Sequence, residues 1–163
     1  MTDVTEKSSD FIKDLGDAAR RNPISAALIG MGLVWLFAGG KSMGGRMTSR
    51  AAAVEALEGV AGLVFLGFPL HPAGRPGVSR AEHLHQVALP MLFLQGTRDT
   101  LAELDLLRPV VEKLGPRATL RIVEHADHMF HVLKKSGRSD EQVLDELADT
   151  VAAWSGKLGS ARA

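Results

Sequence analysis

Gly40-Lys41-Ser42-Met43-Gly44 places a serine between glycines two residues away on either side, the G-x-S-x-G spacing of a nucleophile elbow. A serine in that pattern occupies a strained strand-to-helix turn that thrusts its hydroxyl outward. The flanking glycines leave room for neighbouring backbone that a Cβ would fill. With 17 glycines among 163 residues the pattern can arise by chance, so its context matters. An apolar run over residues 32–37 leads into it, and the alanine-rich stretch 46–58 suits the helix that must leave it.

Two further residues complete a chemistry. Asp99 follows the apolar run Leu89-Pro90-Met91-Leu92-Phe93-Leu94-Gln95, and His128 follows the short run Ala118–Val123. Each of the three therefore lies just beyond a predicted strand, where ligands bind in open parallel sheets. In that arrangement Ser42 is the nucleophile, His128 the base that takes its proton, and Asp99 the group that holds the imidazole tautomer. The backbone N–H of Met43 is then one oxyanion donor, and Gly40 and Gly44 are the elbow glycines. Taken singly, each residue has an ordinary explanation: a turn serine, a helix-capping aspartate, a structural histidine. His125 and His131 compete with His128 for the role of base. The order Ser…Asp…His is the one used by α/β-hydrolases. His83-x-His85 would point to opposite sides of a helix and lacks a carboxylate cluster, so no metal is expected, and no cofactor.

These residues need elements to position them. Residues 60–68 and 89–95 read as strands buried on both faces, and Ala118–Val123 as a third. Leucines and valines at helical spacing predict a helix over 101–114, closed by Gly115-Pro116, and residues 140–158 predict an amphipathic helix with Val143, Leu144, Leu147, Val151 and Trp154 inward. Residues 51–57 read as helix and 80–87 as a short helix or turn, while 69–77 is a proline- and glycine-rich loop. Strand alternating with helix at this spacing predicts an α/β fold with a parallel sheet.

Composition narrows the function. The chain is 45% hydrophobic and 23% charged, ordinary for a globular domain, and its 19 basic and 19 acidic side chains cancel. That balance gives no electrostatic case for nucleic acid as a partner. With no cysteine, disulfides, thiol catalysis and cysteine-ligated zinc are excluded.

GGKSMGGRM, LVFLGFPLHPAGRPG, MLFLQGTRD and Ala126-Asp127-His128 together resemble one branch of small α/β-hydrolases, that of the dienelactone hydrolases and the testis-expressed and NSL-complex regulatory proteins. The resemblance runs from about Leu36 to the C-terminal helix. It implies a serine hydrolase acting on an ester or related acyl bond of a small molecule, with Ser42, Asp99 and His128 as its triad. It also implies that Lys41, Pro69 and His71 border the pocket. The expected fold is the C-terminal part of an α/β-hydrolase, about four parallel strands with flanking helices, preceded by one or two N-terminal helices.

Only about forty residues precede Ser42, fewer than the strands and helices that stand before the elbow in that family, one loop of which supplies a second oxyanion donor. Impaired catalysis is therefore an expectation too. The stretch before Leu36 resembles small bacterial membrane-associated proteins, which divides the chain into 1–35 as a helical segment of separate origin, 36–158 as a truncated hydrolase domain, and 159–163 as a tail. Residues 22–40 carry no charge and approach the length of a bilayer span. The competing reading is accordingly an inert membrane-tethered or interaction module, membrane-associated rather than cytoplasmic. If residues 33–37 form the elbow strand, they become an apolar sheet edge that invites self-association.

Overall fold

A computed structural model describes residues 44–55, 57 and 60–160. Within them three strands pair in parallel in chain order: β1 (Leu63–Leu66), β2 (Met91–Gly96) and β3 (Ala118–Val123). The register sets Leu63 beside Met91 and Phe65 beside Phe93, then Phe93 beside Leu120 and Gly96 beside Val123. α1 (Gly44–Val54) precedes β1, a 3₁₀ helix (Ser79–Gln86) joins β1 to β2, α2 (Leu104–Leu114) joins β2 to β3, and α3 (Asp140–Ser160) follows β3.

The strand period of two sorts the apolar side chains onto the two faces. Leu63, Phe65, Met91 and Phe93 point to one side, where Ala52 of α1, Leu84 of the 3₁₀ helix and Leu107, Val111 and Leu114 of α2 cover them. The rings of Phe65, Phe68 and Phe93 meet there with centroids 4.8–5.9 Å apart. Leu92, Leu94 and Val123 point to the other side and pack under Val143, Leu144, Leu147 and Val151 of α3. Every residue of β2 is buried, as a continuous apolar run in a parallel sheet requires.

The C-terminal helix starts where its sequence says it should. The Ser139 N–H donates to Gln142 Oε1 at 3.0 Å and the Gln142 N–H to Ser139 Oγ at 3.2 Å, a reciprocal capping box. The helix expected from residue 101 begins at Leu104 instead, because Asp99 and Leu101 are engaged in a turn ahead of it and Glu103 is the cap. The strand expected over 60–68 is regular only from Leu63 to Leu66, since Gly67, at φ +71°, turns the chain out of the sheet. The three described strands are parallel neighbours as expected. The elbow strand at 33–37, its sheet edge, and residues 22–40 lie outside the described residues. Among the described residues no helix is long and apolar enough to cross a membrane.

Candidate active site

The carboxyl ends of β1, β2 and β3 lie side by side, and the loops leaving them are bonded into one unit. At the end of β2 the Thr97 N–H donates to the Val123 carbonyl at 3.1 Å and the Arg98 N–H to the Ala126 carbonyl at 2.9 Å. The His125 N–H returns to Thr97 Oγ1 at 2.8 Å, and the Arg98 guanidinium to the His125 carbonyl at 3.1 Å. These bonds bring the residue after β2 within reach of the loop after β3.

Asp99 and His128 meet there. His128 Nδ1 lies 2.8 Å from Asp99 Oδ2, with the Asp99 side chain fully buried and that of His128 17% exposed. A carboxylate only accepts, so Nδ1 carries a proton, and in the neutral ring the lone pair is on Nε2. The second oxygen of Asp99 accepts from the Leu101 N–H at 2.8 Å. One carboxylate thus both orients the imidazole and pins the turn that leads to α2. His125 is exposed, and His131 Nδ1 pairs with Asp140 Oδ2 at 2.7 Å. Of the three candidates it is His128 that sits on Asp99.

The His128 loop is shaped by its own residues. Asp127 Oδ1 accepts from the N–H groups of Met129 (2.8 Å) and His131 (3.0 Å), and its N–H donates to the His131 carbonyl at 3.1 Å. Ala126 and Val132 form an isolated antiparallel bridge that closes the loop. Within it His125 and Phe130 hold φ of 64° and 62°, conformations that cost a non-glycine residue ~1–3 kcal/mol. Phe130 is repaid by burial under α3.

Two glycines admit this loop. A Cβ on Gly96 would stand 2.3 Å from the Ala126 carbonyl oxygen and 2.9 Å from that of Asp127, closer than real contacts allow. A Cβ on Gly67 would stand 3.0 Å from His128 Nδ1. The imidazole therefore rests against bare backbone at the end of β1.

Gln95 is the residue sequence reasoning missed. Fully buried on β2, it donates from Nε2 to Asp99 Oδ2 at 2.5 Å, while its Oε1 has no partner among the described residues. The signal was present as the one polar side chain in the apolar run MLFLQG.

The other expected residues divide. Gly44 is the first residue of α1 and is buried. Gly40, Lys41, Ser42 and Met43 lie outside the described residues. Pro69 is buried, and the ring of His71, also buried, is turned onto Glu103 rather than presented to solvent. His83 Nε2 bonds Ser49 Oγ at 2.7 Å, tying α1 to the 3₁₀ helix. Burial first, then the charges of Arg50 and Arg46 and of His85, push its ring below the ordinary histidine range. Among the described residues no three side chains cluster as metal ligands would.

A family model described as an alpha/beta hydrolase domain matches residues 6–156, taking in most of the segment that the sequence reading set apart. An alpha-beta serine hydrolase homologue from Coxiella burnetii superposes with a TM-score of 0.50 at 20% identity, over 69% of this chain and 45% of its own. The esterase domain of a Rhodothermus marinus protein gives a TM-score of 0.52 at 12% identity, over 73% of this chain and 63% of its own. At such identities the likeness is one of fold. The chain spans less than two thirds of the length of either structure.

Proposed function

The chain belongs to the alpha/beta hydrolase domain family, and on that premise we propose that it is a serine hydrolase of esters or related acyl bonds in small molecules. Ser42 is the nucleophile, His128 the general base and Asp99 its orienting carboxylate. The observation that carries this reading is the Asp99 Oδ2 to His128 Nδ1 contact of 2.8 Å, which leaves the basic Nε2 for a substrate-side partner.

The reaction follows from those roles. Nε2 of His128 takes the proton of Ser42 Oγ as that oxygen attacks the acyl carbon. Buried Asp99 stabilises the imidazolium formed, and the elbow spacing assigns the backbone N–H of Met43 as an oxyanion donor. The tetrahedral species then expels the alcohol, which receives the proton from His128. Water repeats the sequence to release the acid. The resemblance to dienelactone hydrolases supports a compact substrate, and Lys41 and Pro69 are proposed to border its pocket.

Hydrolysis of p-nitrophenyl acetate by the full chain tests the assignment. Asp99→Asn supplies the wrong hydrogen-bonding pattern to Nδ1 and should lower kcat by ~10⁴, the loss seen when a triad acid becomes an amide. Ser42→Ala should abolish turnover above background. Wild-type rates in either variant would remove Ser42 or Asp99 from the mechanism.

A further inference from the structure

Of the histidines among the described residues, His71 is the one recorded with both ring nitrogens facing oxygen. Nδ1 lies 2.9 Å from the Pro72 carbonyl oxygen and Nε2 2.5 Å from Glu103 Oε2. A carbonyl and an ionised carboxylate only accept, and a neutral imidazole has a single N–H, so it would turn a lone pair onto one of them. The side chain is 2% exposed, and Glu103, at 45%, faces it from the solvent side. Both contacts are satisfied together only by the imidazolium.

The pair sits where two loops join. The N–H groups of Leu70 and His71, in the loop leaving β1, both point at the Leu101 carbonyl, at 2.9 and 3.4 Å. The Leu101 N–H donates in turn to Asp99 Oδ1, and Asp99 Oδ2 holds His128. Glu103 ends the same loop as the cap of α2. We infer that the His71 imidazolium and Glu103 form a lock that fastens the β1 loop to the Asp99 loop, making His71 and Glu103 positioning residues for the Asp99–His128 pair. This deepens the serine-hydrolase reading and rests on it for its catalytic consequence.

The charged groups around His71 set the direction of its titration. Burial, the largest influence, opposes protonation, and the Arg80 guanidinium, which donates to the His71 carbonyl at 3.1 Å from the 3₁₀ helix, opposes it as well. The Pro72 carbonyl and the hydrogen bond and charge of Glu103 outweigh both and hold the ring above the ordinary histidine range. The Glu103 carboxyl is held low, first by its own backbone N–H and then by His71, against burial and the charge of Asp99. Because the native value of His71 is raised, the lock is complete below the ordinary histidine range and is lost as pH climbs through the native value. Loosening of the Asp99 loop is therefore an alkaline event.

Long-range ¹H–¹⁵N correlation spectra of the full chain labelled at histidine, recorded across pH, test the lock in the wild type, Glu103→Gln, His71→Gln and the double variant. Wild-type His71 should be doubly protonated at neutral pH, and in Glu103→Gln its proton affinity should fall ~10-fold or more. His128 should lose Nδ1–H tautomer population equally in both single variants and in the double, since the pair acts as a unit. A singly protonated His71 in the neutral wild type overturns the inference whether or not any variant folds. An unchanged His128 in a Glu103→Gln protein with native circular dichroism overturns it too, as do additive effects in the double variant. Ester hydrolysis on the same samples separates the two readings. A wild type that hydrolyses nothing while His128 responds as stated defeats the hydrolase reading and supports the lock.

Discussion

Gln95 and His128 share one acceptor, Oδ2 of Asp99, at 2.5 and 2.8 Å. The oxygen that orients the His128 imidazole is thus itself held from inside the sheet. Gln95 reaches it from the penultimate position of β2, with no part of its side chain in solvent.

Replacing that amide by a carboxyl should give the protein a new pH dependence. In Gln95→Glu two buried carboxyls would meet at hydrogen-bonding distance, and like charges so close cannot both ionise. The folded state would bind a proton that the unfolded chain releases, so stability should fall as pH rises above the ordinary carboxylate range. Thermal melts at pH 5 and pH 8 measure it. The variant should lose several degrees more than the wild type over that interval, and parallel behaviour would mean that Gln95 does not face Asp99.

Gly96→Ala tests whether the His128 loop lies on bare backbone. The added Cβ would begin 2.3 Å from the Ala126 carbonyl oxygen, so the loop must move. A misplacement of ~1 Å at a catalytic group can cost ~10² in rate, and the strain should cost ~1–3 kcal/mol of stability. Gly156→Ala, in α3 with nothing near its Cβ position, should instead stabilise by up to ~1 kcal/mol. Equal effects of the two substitutions on activity and Tm would contradict the packing described.

Asp140 should contribute an acid limb to stability. Burial by itself would push its carboxyl up, but the Val132 N–H at 2.9 Å and the His131 ring outweigh it and hold the group below the usual carboxylate range. The stabilisation is complete above the unfolded carboxylate value and is lost as pH falls through the lower native one. Asp140→Asn should lower Tm near neutrality and leave it little changed near pH ~2, so that the melting curve against pH flattens between ~5 and ~2. A limb of undiminished slope would assign acid sensitivity elsewhere.

How much of this was legible in the sequence depended on the range of the interaction. The strands announced themselves because β2 is apolar at almost every position, and α3 because Val143, Leu144, Leu147 and Val151 recur at the helical period. α2 starts three residues later than the leucine and valine spacing predicts, because the Asp99 side chain accepts from the Leu101 N–H in a turn ahead of the helix. Asp99 and His128 were legible through their places just after strands. The pairing of His71 with Glu103 was not, because it joins residues 32 positions apart on different loops, and nothing local in either marks the other. Gln95 lay between these cases: its polarity stood out, but its partner became visible only with the fold.

Whether the Asp99–His128 pair serves Ser42 is read out by reaction with a fluorophosphonate probe, followed by intact mass and peptide mapping. A single adduct should form on Ser42, absent in Ser42→Ala and formed at least ~10²-fold more slowly in His128→Ala, the lower end of what a positioned general base contributes. An adduct on any other serine, or undiminished labelling in Ser42→Ala, would contradict it.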